Sequence, residues 1–259
     1  MLDEKALRTG LKTRIFGQKI YAFATIDSTN NCAKAVAGCG ADEGTVVIAE
    51  EQTAGRGRLG RTWIARPNEN LTFSLLLKPQ VTPEHLPLFP FFAAVSVASA
   101  VEHLTGLKVE CKWPNDLLLS GRKFAGILLE GSVKQNAIDH VIVGIGINVN
   151  QEVFPPELSS RATSLLLETG SHVDRELLFR ETLFQLEAQY TQISTKGMNS
   201  IIPGWIERSR MINQPVSVLL QGETITGVMK GLSPEGGLVL AVEGTERTLH
   251  AGDTTILRC

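Results

Sequence analysis

Short apolar runs separated by glycine, proline and polar residues dominate the first half of the chain. Lys19–Ile26 is rich in β-formers and predicts a strand. Asp27-Ser28-Thr29-Asn30 and a run of small residues through Ala37 predict a helix. Asp27 or Ser28 would cap it, and Gly38 and Gly40 would stop it. Thr45–Glu50 and Asn70–Leu77 predict two more strands, the second closed by Pro79. Pro90 opens a helix to about Leu104 and Gly106 lies past its end, the usual placement of proline and glycine. Val109–Lys112 and Asp116–Leu119 flank Trp113-Pro114-Asn115, with a turn at Gly121. Phe124–Glu130 and His140–Ile147 are dense in Ile, Leu and Val and predict a pair of buried strands. Asp174 caps a long helix. Its Phe179, Leu183, Leu186, Tyr190 and Ile193 step by 4, 3, 4 and 3 and predict one buried face.

After about Asn213 the pattern changes to the short β runs Pro215–Leu220, Glu223–Gly231, Gly237–Val242 and Arg247–Leu257, punctuated by glycine. They predict a small all-β module packed on a larger domain. Residues 1–19 are charged and weakly patterned, a leader helix or linker. The expected division is therefore 1–19, 20–212 and 213–259. The longest apolar run, about Leu86–Val101, holds Pro87 and Pro90 and reads as too short to span a bilayer.

Composition narrows the function classes. With 25 basic and 27 acidic side chains the net charge is −2, so no global basic field exists to hold a nucleic acid. Cys32, Cys39, Cys111 and Cys259 suit neither a disulfide framework nor a zinc site, and the five histidines are scattered. No protein-borne metal site is predicted. The expectation is a soluble cytoplasmic protein without a nucleic-acid or membrane partner.

Four stretches carry candidate chemistry. Gly55-Arg56-Gly57-Arg58-Leu59-Gly60-Arg61, with Trp63 two places on, interleaves glycine with arginine. Its backbone N–H groups and guanidinium forks suit an anion, and the glycines predict a segment that orders around it. An exposed flexible loop or an RNA tether would have the same composition. Lys112-Trp113-Pro114-Asn115-Asp116 is either an ordinary turn with a buried Trp or part of a polar site. Lys123 is either a solvated strand-entry lysine or a functional one, and Gly126 suggests close backbone approach. Gly144-Ile145-Gly146 followed by Asn148 is a weak dinucleotide signal, or a bulged strand leading to a turn.

Taken together, these stretches resemble the bacterial biotin–protein ligase family. The resemblance rests on Asp27–Asn30, Gln52–Trp63, Lys112–Asp116, Arg122–Glu130 and Gly144–Asn150 in that order, and covers about residue 20 to the end. It implies an α+β fold: a mixed β-sheet flanked by helices, similar to class II aminoacyl-tRNA synthetases, with a C-terminal SH3-like β-barrel. It implies that biotin and ATP, with Mg²⁺, form biotinyl-5′-AMP and pyrophosphate. A lysine of a carboxylase's biotin carboxyl carrier domain then takes the biotinyl group.

By the same resemblance, Ser28, Thr29, Asn30 and Gln52 contact biotin, with the backbone of Gly55, Arg56, Gly57 and Arg58 beside them. Trp63, Asn115 and Asn148 lie on the adenine side, and Arg58, Arg61 and Lys112 on the phosphates. Lys123 meets the biotin carboxylate and the phosphate, and Asp116 orients or deprotonates the incoming lysine. Many members carry an N-terminal DNA-binding domain. The 20 or so residues before the first strand predict a ligase without repressor function. Edge strands leave room for a homodimer. The alternative is a lipoate or octanoate ligase or transferase of the same fold.

Overall fold

The computed structural model describes residues 2–257. Seven strands form one mixed sheet: β1 (Ile20–Ile26), β2 (Val46–Gln52), β3 (Leu71–Leu77), β4 (Glu110–Lys112), β5 (Asp116–Leu119), β6 (Arg122–Lys134) and β7 (Ala137–Ile147). Their order is β1-β2-β3-β7-β6-β5-β4, and only β1 and β2 are parallel. Every residue of β3 is buried because both faces of the sheet are covered. Leu71, Phe73, Leu75 and Leu77 join Val143, Ile145 and Ile147 in the main core, while Leu76 and Ile142 meet Val47 and Ala33 in a smaller one. That split is the two-residue period of a strand.

The main-core face is covered by α3 (Phe89–Thr105) and α5 (Arg175–Lys196); α2 (Thr29–Gly38) packs on the other. Gly106 ends α3 in the left-handed conformation, at φ 71°. Asp174 caps α5 by accepting from the N–H groups of Glu176 and Leu177, and Phe179 meets Phe73 edge-on at 5.3 Å. Pro83–Thr105, 23 residues with the turn before α3 included, is long and apolar enough by length and composition to cross a membrane. The shorter run read from the sequence understated this length. In the fold, eleven residues of α3 are buried.

The pattern misses three things. Residues 2–16 hold α1 (Glu4–Arg8) and dock firmly: Leu7 and Phe16 are fully buried, and Glu187 accepts from the backbone N–H of Arg14, Ile15 and Phe16 at 2.7–2.8 Å. Their partners lie about 170 residues away, beyond any local pattern. The β6–β7 hairpin extends past both expected ends to a two-residue turn at Gln135 and Asn136, both at positive φ. Its tip is polar, so no apolar run marks it. The expected strand Arg247–Leu257 is two, β11 (Thr245–Leu249) and β12 (Asp253–Ile256), broken at Gly252, where φ is 129°.

With β8 (Pro215–Leu220), β9 (Glu223–Leu232) and β10 (Leu238–Val242) these form the expected C-terminal module. It is an antiparallel sheet of order β11-β10-β9-β8-β12, open between its two end strands. Trp113, 2% exposed, joins it to the larger sheet: its indole N–H donates to Gly236 O at 3.1 Å and its carbonyl accepts from Thr254 Oγ1 at 2.5 Å. α4 (Leu165–Thr169) and α6 (Ile202–Glu207) complete the helices. Cys32, Cys39 and Cys111 are free thiols, as expected, and Cys259 lies outside the described residues.

Glu187→Ala would leave three amide donors without their acceptor. It is expected to lower the unfolding free energy by about 1–3 kcal/mol, measured by urea denaturation.

Candidate active site

One transverse row of the sheet makes the floor of a cavity of about 660 Å³. The register sets Lys112 opposite Asp116, Asp116 opposite Gly126, Gly126 opposite Gly146 and Gly146 opposite Thr72. Directly opposed residues share a face, so all five line the cavity. The two central positions have no side chain, and the Trp63 ring lies there. A Cβ on Gly146 would fall inside the indole, and one on Gly126 would come 3.2 Å from it. The β3–β7–β6 ladder runs without a register shift through Gly144 and Gly146. The glycine pair is neither a bulge nor a dinucleotide turn. It is a bare strip of an intact sheet.

One step along the strands, Gly144 serves the same purpose for α2: a Cβ there would overlap the Asn30 carboxamide. Asn30 donates to Glu130 Oε2 at 2.7 Å, and its Oδ1 lies 2.6 Å from Ser74 Oγ. Ser74 Oγ, as donor, also lies 2.8 Å from Thr29 Oγ1, whose own proton points to Gln52 Oε1 at 3.1 Å. Gln52 Oε1 accepts from the Thr29 N–H at 2.7 Å. Ser28 stands at the N-cap, yet its side chain makes no capping bond; Gln52, from the neighbouring strand, satisfies the helix end. Asn30 is thus bonded within the protein through both its nitrogen and its oxygen, and it lines the pocket.

The Gly/Arg stretch has a defined form. Arg56 and Thr62 pair as an antiparallel bridge, the Gly57 N–H donates to Arg61 O at 2.6 Å, and Leu59 sits at φ 54° with 73% exposure. Each arginine finds a carboxylate: Arg56 meets Glu130 at 3.2 Å, Arg61 pairs with Asp253, and Arg58 lies 4.0 Å from Asp253. Arg58 also donates to Asn115 Oδ1 at 3.3 Å.

Across the cavity, Lys123 pairs with Asp116 at 2.5 Å and stands 5.5 Å from the Trp63 ring centroid. Lys112 has no ion pair among the described residues. Burial pushes its amine below the ordinary lysine range against the opposing pull of Asp116.

Two buried polar atoms in this cavity have no partner: Trp63 Nε1, a donor, and Asn148 Oδ1, an acceptor. Leaving such atoms unpaired costs on the order of 1–3 kcal/mol each, and both belong to residues that line the cavity. Asn148 Nδ2 is held by Thr163 O at 3.1 Å, so its oxygen is fixed in place.

The cavity gathers Ser28, Thr29, Asn30, Gln52, Arg56, Gly57, Arg58, Arg61, Trp63, Lys112, Asn115, Asp116, Lys123 and Asn148. Gly55 is outside the lining, in the loop stem, where its carbonyl accepts from the Trp63 N–H at 3.1 Å. Sequence reasoning missed Ser74, Glu130 and Asp253, and a wall from Phe154 to Ala162 that bonds to the Lys123 backbone. Asp253 carries no local signal because the docking of the C-terminal module brings it here. Glu130 could have been found from its spacing, since it shares a face with Gly126.

Residues 22–148 match the model of the biotin/lipoate A/B protein ligase family, and residues 211–254 that of the biotin protein ligase C-terminal domain. The chain is 34% identical to the biotin–[acetyl-CoA-carboxylase] ligase of Mycobacterium tuberculosis, covering 99% of this chain and 96% of that protein. It is 35% identical to the bifunctional ligase/repressor BirA of Bacillus subtilis, over 97% of this chain and 78% of that one. The biotin protein ligase of Aquifex aeolicus, solved in complex with biotin and ATP, superposes with a TM-score of 0.80 at 30% identity, covering 93% of this chain and 100% of that one. Fold, site and these relationships together show that the chain belongs to the biotin protein ligase family.

Proposed function

We propose that this chain is an ATP-dependent biotin–protein ligase. It joins biotin to AMP and then transfers the biotinyl group to a lysine of a carboxylase's biotin carboxyl carrier domain. One observation carries the reading. A single cavity joins an end of neutral hydrogen-bonding groups, a ring of cations, and a Trp on bare backbone beside two unpartnered polar atoms.

The neutral end, at Ser28, Thr29, Gln52 and the Gly57 backbone, suits the uncharged ureido ring of biotin, which offers N–H donors and one carbonyl. The Trp63 shelf suits the adenine, with Asn148 Oδ1 as the acceptor for its amine. Asn115 has a lesser part there, since its amide is committed to Ile127 O at 2.5 Å and to Arg58. Between the two ends stand Arg58, Arg61, Lys112 and Lys123.

In the first step a carboxylate oxygen of biotin bonds to the α-phosphorus of ATP, the bond to the bridging oxygen breaks, and pyrophosphate leaves. Nucleophile and electrophile are both anionic. Cations fixed between them lower the repulsion in the approach and stabilise the charge that builds on the phosphoryl oxygens. Lys123 is held by Asp116 at the junction of the two ends, where it reaches carboxylate and phosphate together. In the second step the neutral amine of the acceptor lysine bonds to the acyl carbon and AMP leaves. Asp116, once Lys123 turns to the substrate, is the base or orienting group for that amine.

Mg²⁺ enters with the ATP phosphates. Among the described residues no group of three or more His, Cys, Asp or Glu stands ready to hold a metal, and Asp116 and Asp253 are engaged by Lys123 and Arg61. The unit 20–212 would carry both steps, and 213–259 would contribute Asp253. The reading places the enzyme in the cytoplasm. It leaves β1, an edge strand of the large sheet, for a homodimer.

Exchange of label between pyrophosphate and ATP should require biotin and be unsupported by lipoate; exchange without biotin, or equal exchange with lipoate, would refute the reading. Lys123→Ala should cut this exchange about a hundredfold, with an unfolding midpoint near that of the wild type. Gly146→Ala should raise the ATP KM about tenfold through loss of the Trp63 seat and leave the biotin KM within about twofold, read from the same exchange rates.

A further inference from the structure

The two carboxylates that grip the Gly/Arg loop do so unequally. Asp253 meets Arg61, whose side chain is 67% exposed, and is 4.0 Å from Arg58. Such an open pair is weak and easily exchanged for another anion. Glu130 is different. It accepts from Asn30 Nδ2 at 2.7 Å, Lys34 Nζ at 2.5 Å and Arg56 Nη2 at 3.2 Å. Arg56 Nη2 is held from its other side by Asn31 Oδ1 at 2.6 Å.

The position of Glu130 follows from the strand. Gly126, Leu128 and Glu130 share one face, and Glu130 stands opposite Ile142, a buried residue. A carboxylate beside apolar neighbours must be fully bonded or lose its charge. Burial pushes the Glu130 carboxyl up, and Lys34, Asn30 and Arg56 more than reverse this, so it stays ionised. Its donors come from two segments, α2 and the Gly/Arg loop, which also meet through Arg56 and Asn31 and, at the loop stem, through Gln52 and the Thr29 N–H. Glu130 is absent from the cavity lining, so whatever it does there it does through Arg56 and Asn30, which line it.

We propose that Glu130 is a positioning residue that ties the Arg56 arm of the loop to the start of α2. The protein itself thereby shapes the biotin end of the cavity, and the Arg58–Arg61 arm remains the exchangeable one. The assignment of biotin to that end rests on the function proposed above.

The test compares Glu130→Gln with wild type in two assays. In the first, trypsin acts on the protein without added biotin or ATP. Cleavage after Arg58 and Arg61 is expected to be about tenfold faster in the variant, the effect of losing a charge-assisted hydrogen bond. In the second, biotin-dependent pyrophosphate exchange, the biotin KM should rise about tenfold and the ATP KM change less than about twofold. Glu130→Asp, which keeps the charge, should recover part of both. Asn31→Ala removes the outer partner of the same guanidinium and should speed cleavage about threefold. Wild-type cleavage in Glu130→Gln, or equal rises in both KM values, overturns the proposal. Should that variant fail to fold, wild-type cleavage in Asn31→Ala overturns it. If the wild-type enzyme shows no biotin-dependent exchange, the function proposed above fails, and the trypsin comparison still decides the role of Glu130.

Discussion

A sheet face carries a side chain at every second position, and this sheet gives up that cover where it matters most. Gly126 and Gly146 lie opposite each other on adjacent strands, and the space above them is filled by the indole of Trp63. The rest of the site depends on that exchange. The seated ring ends the Gly/Arg loop at a fixed point and stands under Lys123. It also carries a buried N–H into the cavity. Gly144 makes the matching concession to Asn30, so helix α2 and the loop both approach the same bare strip. A methyl group at either position would force one of them away.

Charge is arranged on top of this frame. Six cations (Arg56, Arg58, Arg61, Lys112, Lys123 and Arg161) from four segments of chain line one cavity, and like charges so close would repel in an unfilled site. Three carboxylates share the load: Glu130 for Arg56, Asp253 for Arg58 and Arg61, Asp116 for Lys123. Asp253 arrives through Trp113. The indole and carbonyl of that residue bond to the C-terminal module, and the residue bonded to its carbonyl, Thr254, is the neighbour of Asp253. Trp113 is therefore both the buried turn residue and the link that brings a carboxylate to the site. Within Lys112–Asp116, Trp113 is buried, while Lys112, Asn115 and Asp116 line the cavity.

Much of the scaffold is legible in the sequence because its signals are local. Pro90 and Gly106 mark the ends of α3 through their fixed or permissive backbone angles. Asp174 and the spacing from Phe179 to Ile193 define α5 and its buried side. The strand alternation of Leu71–Leu77 is hidden by burial on both faces, but its apolar density is not. What stays illegible has distant partners. Glu187 holds residues 14–16 from the far end of the chain, and Gly252 breaks an apparent strand because β11 and β12 pair at opposite ends of their sheet. The wall from Phe154 to Ala162 has no regular structure and hence no period to read.

The sequence alone pointed to residues that line the cavity, the arginines, lysines and amides of its four polar-glycine stretches, and to the family they resemble. Residue type and spacing carry that information, since the chemistry needs those groups. Only the tertiary structure decided which of them are free to act. Asn30, predicted as a ligand contact, has both ends of its amide bonded within the protein, whereas Asn148 has one oxygen left over. Satisfaction of a buried hydrogen-bonding group depends on every neighbour within about 3 Å. Those neighbours come from strands and helices that meet only when the chain has folded.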